Sequence, residues 1–231
     1  MTDLSHSTQQ IQYVASFDAL VSTPFDEAMN AVCWRRELVG DFAEIVGKVP
    51  MESNITVVGE ETLMALELSE QGQLAREVLL GDMQLLTDHG AAPVLNLIRC
   101  YDRDDAVPFF PTDVYSWHVD RAPVPTATFL CTYYGAASEI LPNAQAEQKI
   151  LMPEIRAELW QLYGGEEEGF EDWLSENFYD LHYQARPDAQ PVNLGTGNLW
   201  RLAVDCADSG VLPCVHRAPV EGDGVRLLLI C

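Results

Sequence analysis

Two short segments hold the residue types from which a metal site is built. They are Ser116-Trp117-His118-Val119-Asp120-Arg121 and Cys214-Val215-His216-Arg217-Ala218-Pro219. Alternate residues of a strand point to one face. On a strand, His118 and Asp120 project an imidazole and a carboxylate together, placed for adjacent positions on one metal ion. His216 supplies a third ligand from a distant strand-like segment. Trp117 and Val119 alternate away and belong to a core, and Arg217 faces away from His216. Asp180-Leu181-His182 repeats the acid and imidazole spacing. It lies in a stretch that reads as helix, where i and i+2 diverge, so it is set aside as a ligand pair.

Two histidines and one carboxylate leave three coordination positions open, the ligand type of non-haem Fe(II) oxygenases. A bidentate co-substrate and O2 can then share the metal. Arg226 follows His216 by ten residues, and Leu227 to Ile230 after it are apolar. This setting turns the guanidinium into a lined cavity, where a buried cation calls for an anionic partner. A carboxylate meets it with a bidentate contact.

The ordered set H-x-D…H…R resembles the Fe(II)/2-oxoglutarate-dependent dioxygenase superfamily, over roughly residues 94–231. The resemblance implies that His118, Asp120 and His216 hold Fe(II), that Arg226 binds 2-oxoglutarate, and that O2 is the oxidant. It also implies a double-stranded β-helix core of jelly-roll or cupin-like type. Asp120 disfavours the halogenase branch, which lacks the carboxylate. Thr128 and Tyr133 are candidates to add a hydroxyl to the co-substrate carboxylate, and Arg121 and Arg99 to hold the substrate. Each residue also has a plain structural reading: a surface pair, a satisfied core histidine, a salt-bridge partner. The expected activity is oxidation, by default hydroxylation, of a C–H bond in a small molecule such as an amino acid or natural-product intermediate. An oxygenase of a protein or peptide is a second reading, and a non-catalytic cupin-like metal- or ligand-binding module a third. A metal enzyme that needs no ketoacid leaves Arg226 unexplained.

The elements that must position these residues read as α+β, in one domain of 231 residues. An arm and supporting helices fill residues 1–92, with a short strand near Ile11–Val14. Helices are expected from Thr23-Pro24, over about 36–46, and over 60–88 with breaks at Gly72 and Gly81. Residues 93–142 and 192–231 form the β core, with strands near 94–101, 117–120, 126–134, 198–204, 213–216 and 225–230. Residues 143–191 read as a helical insertion with a Gly-Gly and triple-Glu break. It suits a mobile lid or a fixed helical cap.

Composition narrows the partners. Asp and Glu number 36 against 13 Lys and Arg, a net charge of −23. Such a surface repels phosphate backbones and anionic membranes, which argues against nucleic-acid and membrane partners. It tolerates a cationic or zwitterionic small molecule better than a polyanion. The polar start lacks the basic and apolar regions of a signal peptide, so a cytoplasmic location is expected. Six cysteines without a C-x-x-C pair read as buried thiols.

Overall fold

The computed structural model describes residues 10–104, 106–207, 209–220 and 224–231, so most of the polar start lies outside it. In chain order, the N-terminal part holds β1 (Ile11–Val14), α1 (Phe17–Ser22), β2 (Ala31–Trp34), α2 (Phe42–Lys48), β3 (Ile55–Val57), α3 (Glu60–Ala65) and α4 (Glu70–Asp88). Then come β4 (Val94–Ile98), β5 (Trp117–His118), β6 (Ala127–Tyr134), β7 (Glu139–Ile140), β8 (Ala146–Gln148), α5 (Pro153–Tyr163) and α6 (Phe170–Glu176). The chain closes with β9 (His182–Ala185), β10 (Val192–Asn193), β11 (Leu199–Ala203), β12 (His216–Arg217) and β13 (Arg226–Ile230).

The architecture is mixed α+β with two sheets. The major sheet has the order β1-β2-β11-β6-β13-β4-β3, and the minor sheet β10-β7-β12-β5-β9-β8. Within the named strands only β1 and β2 pair in parallel; the remaining ladders are antiparallel. No helix among the described residues is long and apolar enough to cross a membrane.

Side-chain parity sorts the major sheet into two faces. Phe129, Cys131, Tyr133, Leu199, Leu227 and Leu229 face the helices, where they meet Phe42, Ile45, Leu79 and Leu86. Leu130, Trp200, Leu202 and Leu228 face the other way and pack with Ala137, Ile140 and Cys214 from the side of the minor sheet. Helix α4 is the main support. Ser69 caps it by accepting from the Gly72 amide. Its buried residues Gly72, Ala75, Leu79, Asp82 and Leu86 fall at spacings of three and four, one stripe of the helix. Each fully buried leucine contributes about 2 kcal/mol by removing apolar surface from water.

Several expected boundaries shift for identifiable reasons. The helix expected from Thr23-Pro24 lies instead at Phe17–Ser22, capped by Ser16, and the chain leaves it at Thr23. The apolar run Ala31–Trp34 is a strand, paired between β1 and β11. Gly72 and Gly81 lie inside α4 without ending it; the break falls between Ala65 and Glu70. The insertion contains α5 and α6 but also delivers β8 and β9 to the minor sheet. Its helices pack as a satellite core in which Leu159, Phe170 and Leu174 meet Phe110 and Tyr179.

Candidate metal centre

Three adjacent strands of the minor sheet put histidines in one row. His118 on β5 is directly opposite His216 on β12 and directly opposite His182 on β9, and His216 in turn faces Ile140 on β7. Residues in register across neighbouring strands share a face. Ile140 belongs to the core between the sheets, so the row looks into that space. Trp117 and Val119 sit on the opposite face with Leu141, Leu181 and Val215. Arg217 lies over the Trp117 ring and pairs with Glu139.

Asp120 follows β5 by two residues and is held by the neighbouring backbone. The Asp205 amide donates to the Asp120 carbonyl at 2.7 Å, and Arg121 bridges to Asp205. The carboxylate therefore stays on the histidine side. His118, Asp120 and His216 each offer one ligand atom within 4.8 Å of the others. His216 Nε2 lies 3.6 Å from Asp120 Oδ2, and the two imidazole centroids are 4.6 Å apart.

The imidazoles are oriented by the backbone. His118 Nδ1 is 2.8 Å from the Ser116 carbonyl, and His216 Nδ1 is 3.1 Å from the Cys214 carbonyl. A carbonyl can only accept, so each Nδ1 carries the proton and donates. Each Nε2 then presents a lone pair, as a metal ligand requires. Burial, reinforced by neighbouring His216, pushes His118 down to about 4, which keeps that lone pair free at neutral pH. The hydroxyl of Thr128 donates to Asp120 Oδ2 and fixes the carboxylate. Two imidazoles and one carboxylate, all oriented by hydrogen bonds, fit a divalent transition metal.

Arg226 opens β13 in register with Ile98, on the face of the major sheet that meets the minor one. Its Nη2 donates to Ser138 Oγ at 3.0 Å and to Thr132 Oγ1 at 3.4 Å. Nε and Nη1 are buried with no partner among the described residues, and no carboxylate pairs with the group. Burial pushes its pKa below the usual arginine value. Gly135, at φ +85°, allows this close packing: a Cβ there would lie 2.4 Å from the Val225 carbonyl and 3.0 Å from Arg226 Cα. A cavity of about 120 Å³ is lined by Arg226, Arg99, Tyr101 and Tyr115.

The other expected site residues divide. Thr128 reaches the site through Asp120, one step from the metal position. Tyr133 is not brought to it. It sits an odd number of residues from Thr128 on the same strand and so points into the helix layer. There it donates to Asp82, which also holds Arg36, and stacks on Phe42. Thr132 takes the place at Arg226 that Tyr133 was expected to fill. Arg121 stands beside the ligands, but its guanidinium is tied to Asp180 and Asp205, leaving no free charge for a substrate. Arg99 is exposed on its cavity wall.

Two participants are missed by sequence reasoning. Ser138 carries no signal beyond following a strand. His182 was set aside because residues 179–182 read as helix. A single 3-10 turn ends at Leu181, however, and His182 opens a strand beside His118, with ring centroids 6.1 Å apart. It stays outside the three-residue group, and its Nδ1 is buried without a partner among the described residues.

A second cavity, of about 350 Å³, reaches the ligands from the side of the insertion. His118, Asp120, Val114, Phe178, Leu181 and His182 are among the residues that line it. No family model matches the chain, and neither a curated protein nor a solved structure does.

Proposed function

We propose that this chain is a non-haem Fe(II)/2-oxoglutarate-dependent dioxygenase that oxidises, by default hydroxylates, a C–H bond of a small molecule. In this reading His118, Asp120 and His216 hold Fe(II), Arg226 holds the distal carboxylate of 2-oxoglutarate, and O2 is the oxidant. The two facing sheets would then be a double-stranded β-helix core. The single observation that carries the proposal is the pairing of two features. An oriented two-histidine, one-carboxylate group stands on one sheet, and a buried guanidinium without an acidic partner among the described residues stands on the facing surface of the other.

When bound, the metal would supply activation of O2 coupled to decarboxylation of the ketoacid. The chain's own residues do the rest. Ser116 and Cys214 carbonyls hold the imidazole tautomers, and Thr128 holds the Asp120 carboxylate. Arg226, Ser138 and Thr132 offer a charged donor flanked by two hydroxyls, suited to one carboxylate. The apolar walls around them exclude water, which strengthens that contact.

Anaerobic addition of Fe(II) and 2-oxoglutarate tests this. A weak visible charge-transfer band and slow succinate formation on admitting O2 are expected, and Arg226→Ala should lose both at wild-type ketoacid concentrations. Iron binding with neither band nor succinate would leave a metal-binding module and refute the oxygenase.

A further inference from the structure

The segment that covers the metal centre contains one backbone anomaly. Phe178 has φ 62° and ψ 15°, the only non-glycine residue with positive φ among those described. It follows the cap of α6, where the chain turns left-handed and glycine or asparagine is the usual occupant. The Phe178 amide donates to the Ser175 carbonyl, and its carbonyl accepts from Leu181, so the turn is fixed on both sides. The ring does not repay the strain by burial: Phe178 is 57% exposed. A large aromatic in an unfavourable backbone state gains little burial to offset it, which points to function rather than packing.

The position supplies that function. Phe178 lines the cavity of about 350 Å³ whose wall includes the ligands His118 and Asp120. Val114, Val119 and Leu181 give this cavity further apolar surface. Its one guanidinium, Arg121, is neutralised by Asp180 and Asp205. The approach to the metal centre thus has an apolar side formed by Phe178, Val114, Val119 and Leu181, and among the described lining residues no guanidinium or ammonium is left free for an anionic substrate. The −23 surface charge concerns the whole molecule; the ring beside the ligands concerns the part of the substrate that reacts.

We propose that Phe178 is the substrate-seating residue of this centre, and that the group presented to the metal is an uncharged ring or branched alkyl unit stacked against it. The inference rests on the oxygenase reading for its chemistry, but the seat is defined by the cavity and can be measured separately. Leu181 and Val114 add apolar wall beside the ring, and the left-handed turn holds the ring against the cavity where a glycine would leave a gap.

Indole serves as a ring-bearing neutral probe, with acetate and tetramethylammonium as charged controls, followed by saturation-transfer NMR on the full chain with and without Mn(II). Wild type should bind indole in preference to both ions, and bound Mn(II) should broaden the indole protons. Phe178→Gly should weaken indole binding by about tenfold, while melting no lower than wild type. Phe178→Tyr, which keeps the ring, should restore binding. Equal indole binding by wild type and Phe178→Gly, or a marked loss of thermal stability in Phe178→Gly, overturns the proposal. Indole binding that depends on Phe178 without Mn(II) uptake would instead remove the oxygenase reading and leave the seat.

Discussion

A buried arginine kept for a ligand should be a burden when the ligand is absent, and Arg226→Met turns this into numbers. Nε and Nη1 are buried without partners among the described residues. Each such donor costs about 1–3 kcal/mol, so the pair costs about 2–6 kcal/mol. The two contacts of Nη2, at 3.0 and 3.4 Å, return about 1 kcal/mol each. Methionine fills much of the same volume with no unpaired donor. Without ligand, the variant should therefore be more stable by about 2 kcal/mol. In a chain of 231 residues this raises Tm by roughly 4–8 °C. With Mn(II) and 2-oxoglutarate at 100 times its dissociation constant, wild type gains about 2.7 kcal/mol by mass action, and the order of the two proteins reverses. Differential scanning calorimetry with and without the ketoacid reads both effects. An Arg226→Met protein that melts below wild type in the absence of ligand would make the arginine structural. Equal stabilisation of both proteins by 2-oxoglutarate would refute its role as the carboxylate partner.

Other perturbations have equally definite outcomes. Burial, then the field of His216, holds His118 at about 4; burial, then His118, holds His182 at about 3. The unfolded chain titrates both near 6.5. Below that pH it takes up protons the fold refuses, so stability is full above pH 6.5 and falls towards pH 4. By pH 5 the loss is about 2 kcal/mol per imidazole. Urea midpoints at pH 7 and 5 check this, and a His182→Gln chain should lose less over the same interval. Thr128→Val removes the donor that fixes Asp120 and should weaken Mn(II) binding about 10- to 100-fold, read by electron paramagnetic resonance. Tyr133→Phe should destabilise the fold by about 1–2 kcal/mol through Asp82 while leaving metal and ketoacid affinity unchanged. A change in either affinity would return Tyr133 to the site.

The gathering of His118, Asp120 and His216 was legible because side chains two residues apart stay on one side even where the strand ends at His118, the Asp120 backbone being held by the Asp205 amide. Arg226 was legible because an apolar run follows it. Tyr133 misled, although parity alone opposes its sharing a face with Thr128 on one continuous strand. His182 was hidden for a different reason. The aromatic-rich stretch around it has helical spacing as far as Glu176, and only a left-handed residue at Phe178 redirects the chain into a strand. No local propensity marks that turn, since phenylalanine is a poor candidate for it. The Ala31–Trp34 strand was missed because four apolar residues fit either period. Thr132 reaches Arg226 through the pairing of β6 with β13 and Ser138 through the packing of the two sheets, contacts 94 and 88 residues apart that leave no local trace.

The proposed activity requires one metal held by His118, Asp120 and His216. Anaerobic equilibrium dialysis of the full chain against Fe(II), compared with His216→Ala and Asp120→Ala, tests it directly. One iron per wild-type chain, with retention lost in both variants, is the predicted result. Iron retained undiminished by either variant, or not bound by wild type, would contradict it.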